Sequence, residues 1–181
     1  MLAPRRIPAG AAPRLETMTS GTFGAPVRSR LQVTLGATPP PAPGLRPFAD
    51  ADVPALAAVM WAAYRGTPDE ADVGNLVGAA REIQLTLDGE YGTFLRDASF
   101  VADHHGRPVG AALVTLYMDV PLLAFLFTDP SHAGQGLGKG LIHAAMHALV
   151  QQGHDTLTLA VTRRNRRARR LYDHLGFIEV A

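Results

Sequence analysis

The sequence predicts an α/β fold with a central mixed, mostly antiparallel sheet that contains one parallel β-α-β unit. Three observations carry this. Apolar runs with strand character alternate with amphipathic helical stretches from Leu45 onward, in the order β, α, α, three strands, α, β, α, β. The three consecutive strands are joined by short turns, which makes them antiparallel. A helix then separates two further apolar runs, 121–129 and 156–161, the spacing of a parallel crossover.

Each element follows from local chemistry. Residues 1–25 are rich in Pro, Gly, Ala, Ser and Thr without sustained period, and are expected to be disordered. "VRSRLQVTL" (27–35) alternates, with Val27, Ser29, Leu31, Val33 and Leu35 on one side, so it is a strand. "GATPPPAPG" (36–44) is a stiff proline-rich linker. Residues 1–44 are accordingly read as an N-terminal extension and 45–181 as the main domain.

"LRPF" opens that domain as a short strand. Asp50 or Asp52 is placed to cap the helix "VPALAAVMWAAYR", and Pro54 suits its first turn. "GTPDEADVGN" breaks the pattern, and "LVGAAREIQLTLDG" is a second helix ending at Gly89. "SFVADH" and "PVGAALVTLYM" are strands around the turn His105-Gly106-Arg107. "PLLAFLFTD" (121–129) hardly alternates, as expected of a strand buried on both faces. Helix 138–152, strand 156–161, helix 165–176 and a last strand "FIEV" complete the chain.

The 181 residues are 47% apolar, enough for a proper core, and include no run of eighteen apolar residues. The N-terminus lacks the apolar stretch of a secretory signal. Cysteine is absent, which excludes disulfides, thiolate metal sites and a cysteine nucleophile. A soluble cytoplasmic protein without membrane partners is expected. The net charge of +1 is unevenly spread: residues 1–47 hold six arginines against Glu16 alone, while 48–162 are strongly acidic. An acidic middle suits a cationic partner such as an amine.

"HAGQGLGKGL" (132–141) crowds four glycines around the chain's one lysine. A Walker loop fails here, because it needs glycine at 133 and a hydroxyl at 140, where the chain has Ala133 and Gly140. A dinucleotide fingerprint fails as well: counted from Gly134 or Gly136, its third glycine falls on Lys139 or Leu141. What remains is Gly134-Gln135-Gly136-Leu137-Gly138 between a buried strand and a helix. Successive N–H groups and the helix dipole there make a field that suits a pyrophosphate.

This loop, after "FLFTD" and Pro130, resembles the acyl-CoA loop of the GNAT superfamily of N-acetyltransferases. A second stretch, "LAVTRRNRRARRLYDHLGF", resembles the same family's later segment, with Asn, Ala, Leu-Tyr and Gly-Phe at matching spacing. The resemblance covers about residues 121–178. It implies acetyl-CoA as co-substrate, no metal, and transfer of acetyl to a primary amine on a small molecule or peptide by direct attack in a ternary complex. Tyr172 would be the acid that protonates the leaving thiolate. The cofactor set would comprise Leu126, Phe127 and Thr128 at the end of the buried strand, with an N–H of Leu126 or Phe127 as oxyanion donor. Ala133, Gly134, Gln135, Gly136, Leu137, Gly138 and Lys139 of the loop would complete it with Asn165, which would bond the pantetheine arm. Ala133 departs from the family pattern, which has a basic or amide side chain there, so weakened cofactor affinity is expected. The base stays open among Glu82, Glu90, Asp119 and Asp129.

A non-catalytic acyl-CoA-binding module of the same fold is the alternative. "RRNRRARR" lacks interleaved aromatics for base stacking, so no nucleic-acid partner is expected. His143 and His147 are expected to face solvent rather than a metal. Trp61 and Tyr64 are candidates for the acceptor pocket. The family fold ends with two strands and this sequence carries one after its last helix. The strand at 27–35 is therefore expected to fill the vacant place, either within the monomer or from a second subunit of a homodimer.

Overall fold

The computed structural model describes residues 27–180; the expectation for residues 1–25 lies outside them. Eight strands, β1 (Arg28–Thr34), β2 (Leu45–Pro47), β3 (Thr93–Phe94), β4 (Phe100–His104), β5 (Arg107–Tyr117), β6 (Val120–Thr128), β7 (Thr156–Thr162) and β8 (Ile178–Val180), form one sheet. Its order is β2-β4-β5-β6-β7-β1-β8, with β3 beside β5. All pairs are antiparallel except β6 with β7. The helices are α1 (Val53–Tyr64), α2 (Glu70–Val73), α3 (Leu76–Leu87), α4 (Leu137–Gln151) and α5 (Arg166–His174).

Apolar clusters cover both faces of the sheet. On one face, Leu141, Ile142, Ala145 and Leu149 of α4 and Tyr172 of α5 pack on Leu31, Leu157 and Leu159. On the other, Leu56 and Met60 of α1 and Ile83 of α3 pack on Val101, Leu113, Phe125 and Phe127. Fully burying such a leucine or isoleucine contributes about 1.5–3 kcal/mol, so each stripe matters to stability. β6 lies between the two clusters, which explains its lack of alternation.

β1 lies between β7 and β8 of the same chain. It pairs with β7 along its whole length, from Arg28↔Thr162 to Thr34↔Thr156, and with β8 from Arg30↔Val180 to Gln32↔Ile178. The strand from the start of the sequence thus closes the gap left after the last helix, and it does so in cis.

Two local expectations are corrected. Asp52 does not cap α1 with its side chain. A 3-10 turn (Asp50–Asp52) precedes the helix, and the Asp52 carboxylate instead accepts from Ala49 N at 2.9 Å and pairs with Arg46 at 2.7 Å. That guanidinium holds the carboxyl below its usual pKa. His143 and His147 are half-buried rather than solvent-facing. The proline-rich segment crosses α4, and His147 Nδ1 meets the Thr38 carbonyl oxygen at 2.9 Å.

Candidate active site

β6 and β7 begin as parallel neighbours but share a single registered pair, Leu122↔Thr158, and then diverge. β6 stays on β5 as far as Gly110↔Thr128. Beyond Leu122, its backbone groups facing away from β5 therefore have no strand partner and line an opening. A bulge sharpens the divergence: Leu113 faces Phe125 while the next residue, Val114, faces Leu123, leaving Ala124 unmatched. Ala124 and Phe125 consequently pack toward the same cluster, whereas Leu123 and Leu126 pack toward the other.

The opening is a cleft of about 890 Å³, walled by residues 123–128 of β6, Ala160, Val161 and Thr162 of β7, the loop before α4, α5, and the segment around α2. Its two ends differ in chemistry. At one end the turn Pro130–His132 leads through exposed Ala133 to Gly134 (φ 80°) and Gly136 (φ 76°), both in the left-handed region that favours glycine. A β-carbon built on either glycine would meet nothing within 4 Å beyond its chain neighbours, so the space beside the loop is open. Gly136 is the N-cap of α4 and supplies no side-chain bond, so the first-turn N–H groups of this helix keep their hydrogen-bonding capacity. Lys139 and Arg167 add positive charge on the walls. These features fit a pyrophosphate.

The other end is lined with side chains. Asp69, Asp72 and Glu82 line it with Arg28, Tyr64 and Tyr91. Arg28 of β1 pairs with Asp72 and donates to Thr162 Oγ1 at 3.4 Å. The Thr162 hydroxyl donates to Asp69, and Tyr91 donates to Glu82. Asn165 is the N-cap of α5: its Oδ1 accepts from Ala168 N at 3.1 Å and its Nδ2 donates to Asp69 at 2.8 Å. Burial, and then the Asp69 carboxylate, push the Tyr172 phenol above its ordinary pKa. Burial pushes Tyr64 up in the same way. Asp72 is raised by burial against the opposing pull of Arg28.

Most of the sequence-derived candidates meet in this one cleft. Leu126, Phe127, Thr128, Ala133, Gly134, Gly136, Leu137, Gly138, Lys139, Asn165 and Tyr172 all line it, whereas Gln135 is exposed outside its wall. Of the four candidate bases only Glu82 lines the cleft. Asp129 accepts from Ser131 N at 2.8 Å and Ser131 Oγ at 2.7 Å, which holds its pKa low and gives it a turn-capping role. Tyr64 lines the cleft, while Trp61 packs against the α1–α3 cluster. Arg28, Asp69, Asp72 and Thr162 were not legible as site residues, because only the folded sheet brings them together. Among the described residues, no group of three or more His, Cys, Asp or Glu side chains is placed to hold a metal ion, and no helix is long and apolar enough to cross a membrane.

Residues 60–177 match the family model of the acetyltransferase (GNAT) family. The chain belongs to this family. Among curated relatives, it is 30% identical over 145 residues to a mycothiol acetyltransferase of Acidimicrobium ferrooxidans, covering 77% of this chain and 44% of that protein. The chain spans less than half the length of the mycothiol acetyltransferases it matches. Among solved GNAT structures, the ribosomal-protein-S18-alanine N-acetyltransferase of Escherichia coli superposes with TM-score 0.60 at 25% identity, covering 76% of this chain and 78% of that one. The PaiA N-acetyltransferase of Thermoplasma acidophilum, solved in complex with coenzyme A, shares the fold with TM-score 0.56 at 15% identity, over 72% of this chain and 86% of that one.

Proposed function

We propose that this GNAT protein transfers acetyl from acetyl-CoA to a primary amine by direct attack in a ternary complex. The observation that carries the reading is that one cleft joins an uncapped helix N-terminus to a buried tyrosine. The open N–H groups of α4 and the Gly134–Gly138 backbone take the pyrophosphate. The bound co-substrate supplies an activated acetyl thioester. Of the two candidate donors, the Leu126 N–H faces away from β5 and is the one available to the thioester's carbonyl oxygen, whereas the register turns the Phe127 N–H toward Ala111. A fixed donor of this kind contributes roughly 3 kcal/mol. Tyr172, kept protonated by burial and by Asp69, gives its proton to the departing thiolate. Glu82, on the cleft wall, is the candidate to take the amine's proton. Asn165 has one Nδ2 hydrogen left for the pantetheine arm once Asp69 has taken the other.

The carboxylates at the far end favour a cationic acceptor, on a small molecule or a peptide. Calorimetry with acetyl-CoA, using ATP and NAD as controls, tests the first half of the reading. Micromolar binding of acetyl-CoA alone is expected, followed by amine-dependent thiol release. Binding without release for any amine would leave a CoA-binding module. No binding at all would end the reading.

A further inference from the structure

We propose that Asp69 is a positioning residue that reaches across the cleft to fix the Asn165 amide, and through it the helix that carries Tyr172. The proposal rests on the acid role given to Tyr172 above.

Asp69 stands at the N-cap of α2, where an aspartate ordinarily bonds the first N–H groups of its own helix. It makes no such bond. Its two carboxylate oxygens instead receive the Thr162 hydroxyl and the Asn165 amide, from residues 93 and 96 positions away in sequence. No cationic side chain among the described residues pairs with it. Its charge is therefore held by neutral donors and stays available to its surroundings.

Two consequences follow from hydrogen-bond chemistry. A carboxylate only accepts, so it must face the Asn165 NH₂ group; Oδ1 is then turned to the Ala168 N–H and caps α5. With the amide reversed, oxygen would face oxygen and NH₂ would face N–H. Asp69 thus selects the capping orientation. α5 also needs outside help. It is nine residues long, and Arg166, Arg167 and Arg169 crowd its first turn against the helix dipole. An anion beyond its N-terminus offsets both. Tyr172 lies seven residues after Asn165, on the same face. Thr162 secures the carboxylate in turn: Arg28 of β1 donates to its hydroxyl oxygen, and its proton goes to Asp69.

The test uses Asp69→Asn in the full chain, with Tyr172→Phe and the double variant. Amide hydrogen exchange at Ala168 is expected to be at least tenfold faster in Asp69→Asn, with a few-fold loss of acetyl-CoA affinity as the Asn165 amide loses its fixed orientation toward the pantetheine arm. Turnover is followed as thiol release with spermidine and an alanine-N-terminal peptide as trial amines. It should fall at least tenfold in Asp69→Asn, and Tyr172→Phe should lose little more when Asp69→Asn is added. Unchanged exchange at Ala168 overturns the proposal, and so do effects of the two changes that multiply independently. If Tyr172→Phe alone leaves turnover intact, the acid role falls, while the exchange measurement still decides whether Asp69 sets the cap. Thr162→Val, which removes one of the two donors and keeps the carboxylate, should give a smaller effect in the same direction; no effect on Ala168 exchange from either variant would remove Asp69 from this role.

Discussion

The two ends of the cleft are built on different principles. The loop end is local: the stretch 133–138, all but Gln135 on the cleft wall, presents backbone groups, and little there depends on a particular side chain. The far end is assembled from β1, the α1–α2 connection, β7 and the cap of α5, where Arg28, Asp69, Asp72, Thr162 and Asn165 are side chains held by one another. A site made of backbone tolerates a lost side chain such as the one missing at Ala133. A site made of interlocked side chains does not, because removing one donor or acceptor leaves its partner buried and unsatisfied.

This contrast can be tested from its largest consequence downward. Deleting residues 1–36 removes β1, and with it Arg28 and the strand between β7 and β8. The loss of seven paired residues and buried Leu31 should exceed the roughly 5–15 kcal/mol that holds a domain together, so thermal melting should lose its cooperativity. A truncated protein that melts like the parent would show the far end to be self-sufficient. Next in size, Tyr172→Phe should lower kcat by about 100-fold or more while acetyl-CoA affinity, set at the loop end, stays within a few-fold. If both parameters fell together, the two ends would not be separable.

Gly136→Val places a branched side chain at φ 76°. The strain is about 1–2 kcal/mol, and the cradle narrows as well. Calorimetry should report acetyl-CoA binding weakened by about tenfold, with the exchange pattern of α5 unchanged. Smallest of all, Ala133→Arg restores a basic side chain at the exposed edge of the loop. A gain in acetyl-CoA affinity of about two- to fivefold is expected, in keeping with the modest worth of exposed charges. No gain would mean that the backbone alone sets affinity here.

The same contrast explains what the sequence discloses. Alternation identifies β1, an unbroken apolar run identifies β6, and glycine placement marks the loop and the start of α4, because each of these signals is local. Tyr172 and Asn165 are legible in a different way, through the resemblance of one helical stretch to the family's later segment. Asp69 is not: in "GTPDEADVGN" it looks like one acid among several in a break, and its partners lie more than ninety positions away. The short helix Glu70–Val73 within that break, and the bulge at Ala124, are tertiary outcomes without local signatures. The failure of Asp52 to cap α1 has the same origin, since Arg46 outcompetes the helix for its carboxylate.

The placement of β1 also has a bearing on how the chain reaches its fold. Arg28 pairs with Thr162, 134 residues further on. At a synthesis rate of about 5–20 residues per second, the first strand would wait roughly 7–27 s for its neighbour to be made. Until then its apolar residue Leu31 and both of its hydrogen-bonding edges have no native partner, and they are open to the wrong ones. The sheet can close only when β7 and β8 have been made. The long-range step that completes the cleft is therefore expected to be the slowest in folding, and a chaperone that holds β1 until β7 and β8 are made should raise how much of this protein is recovered in soluble form.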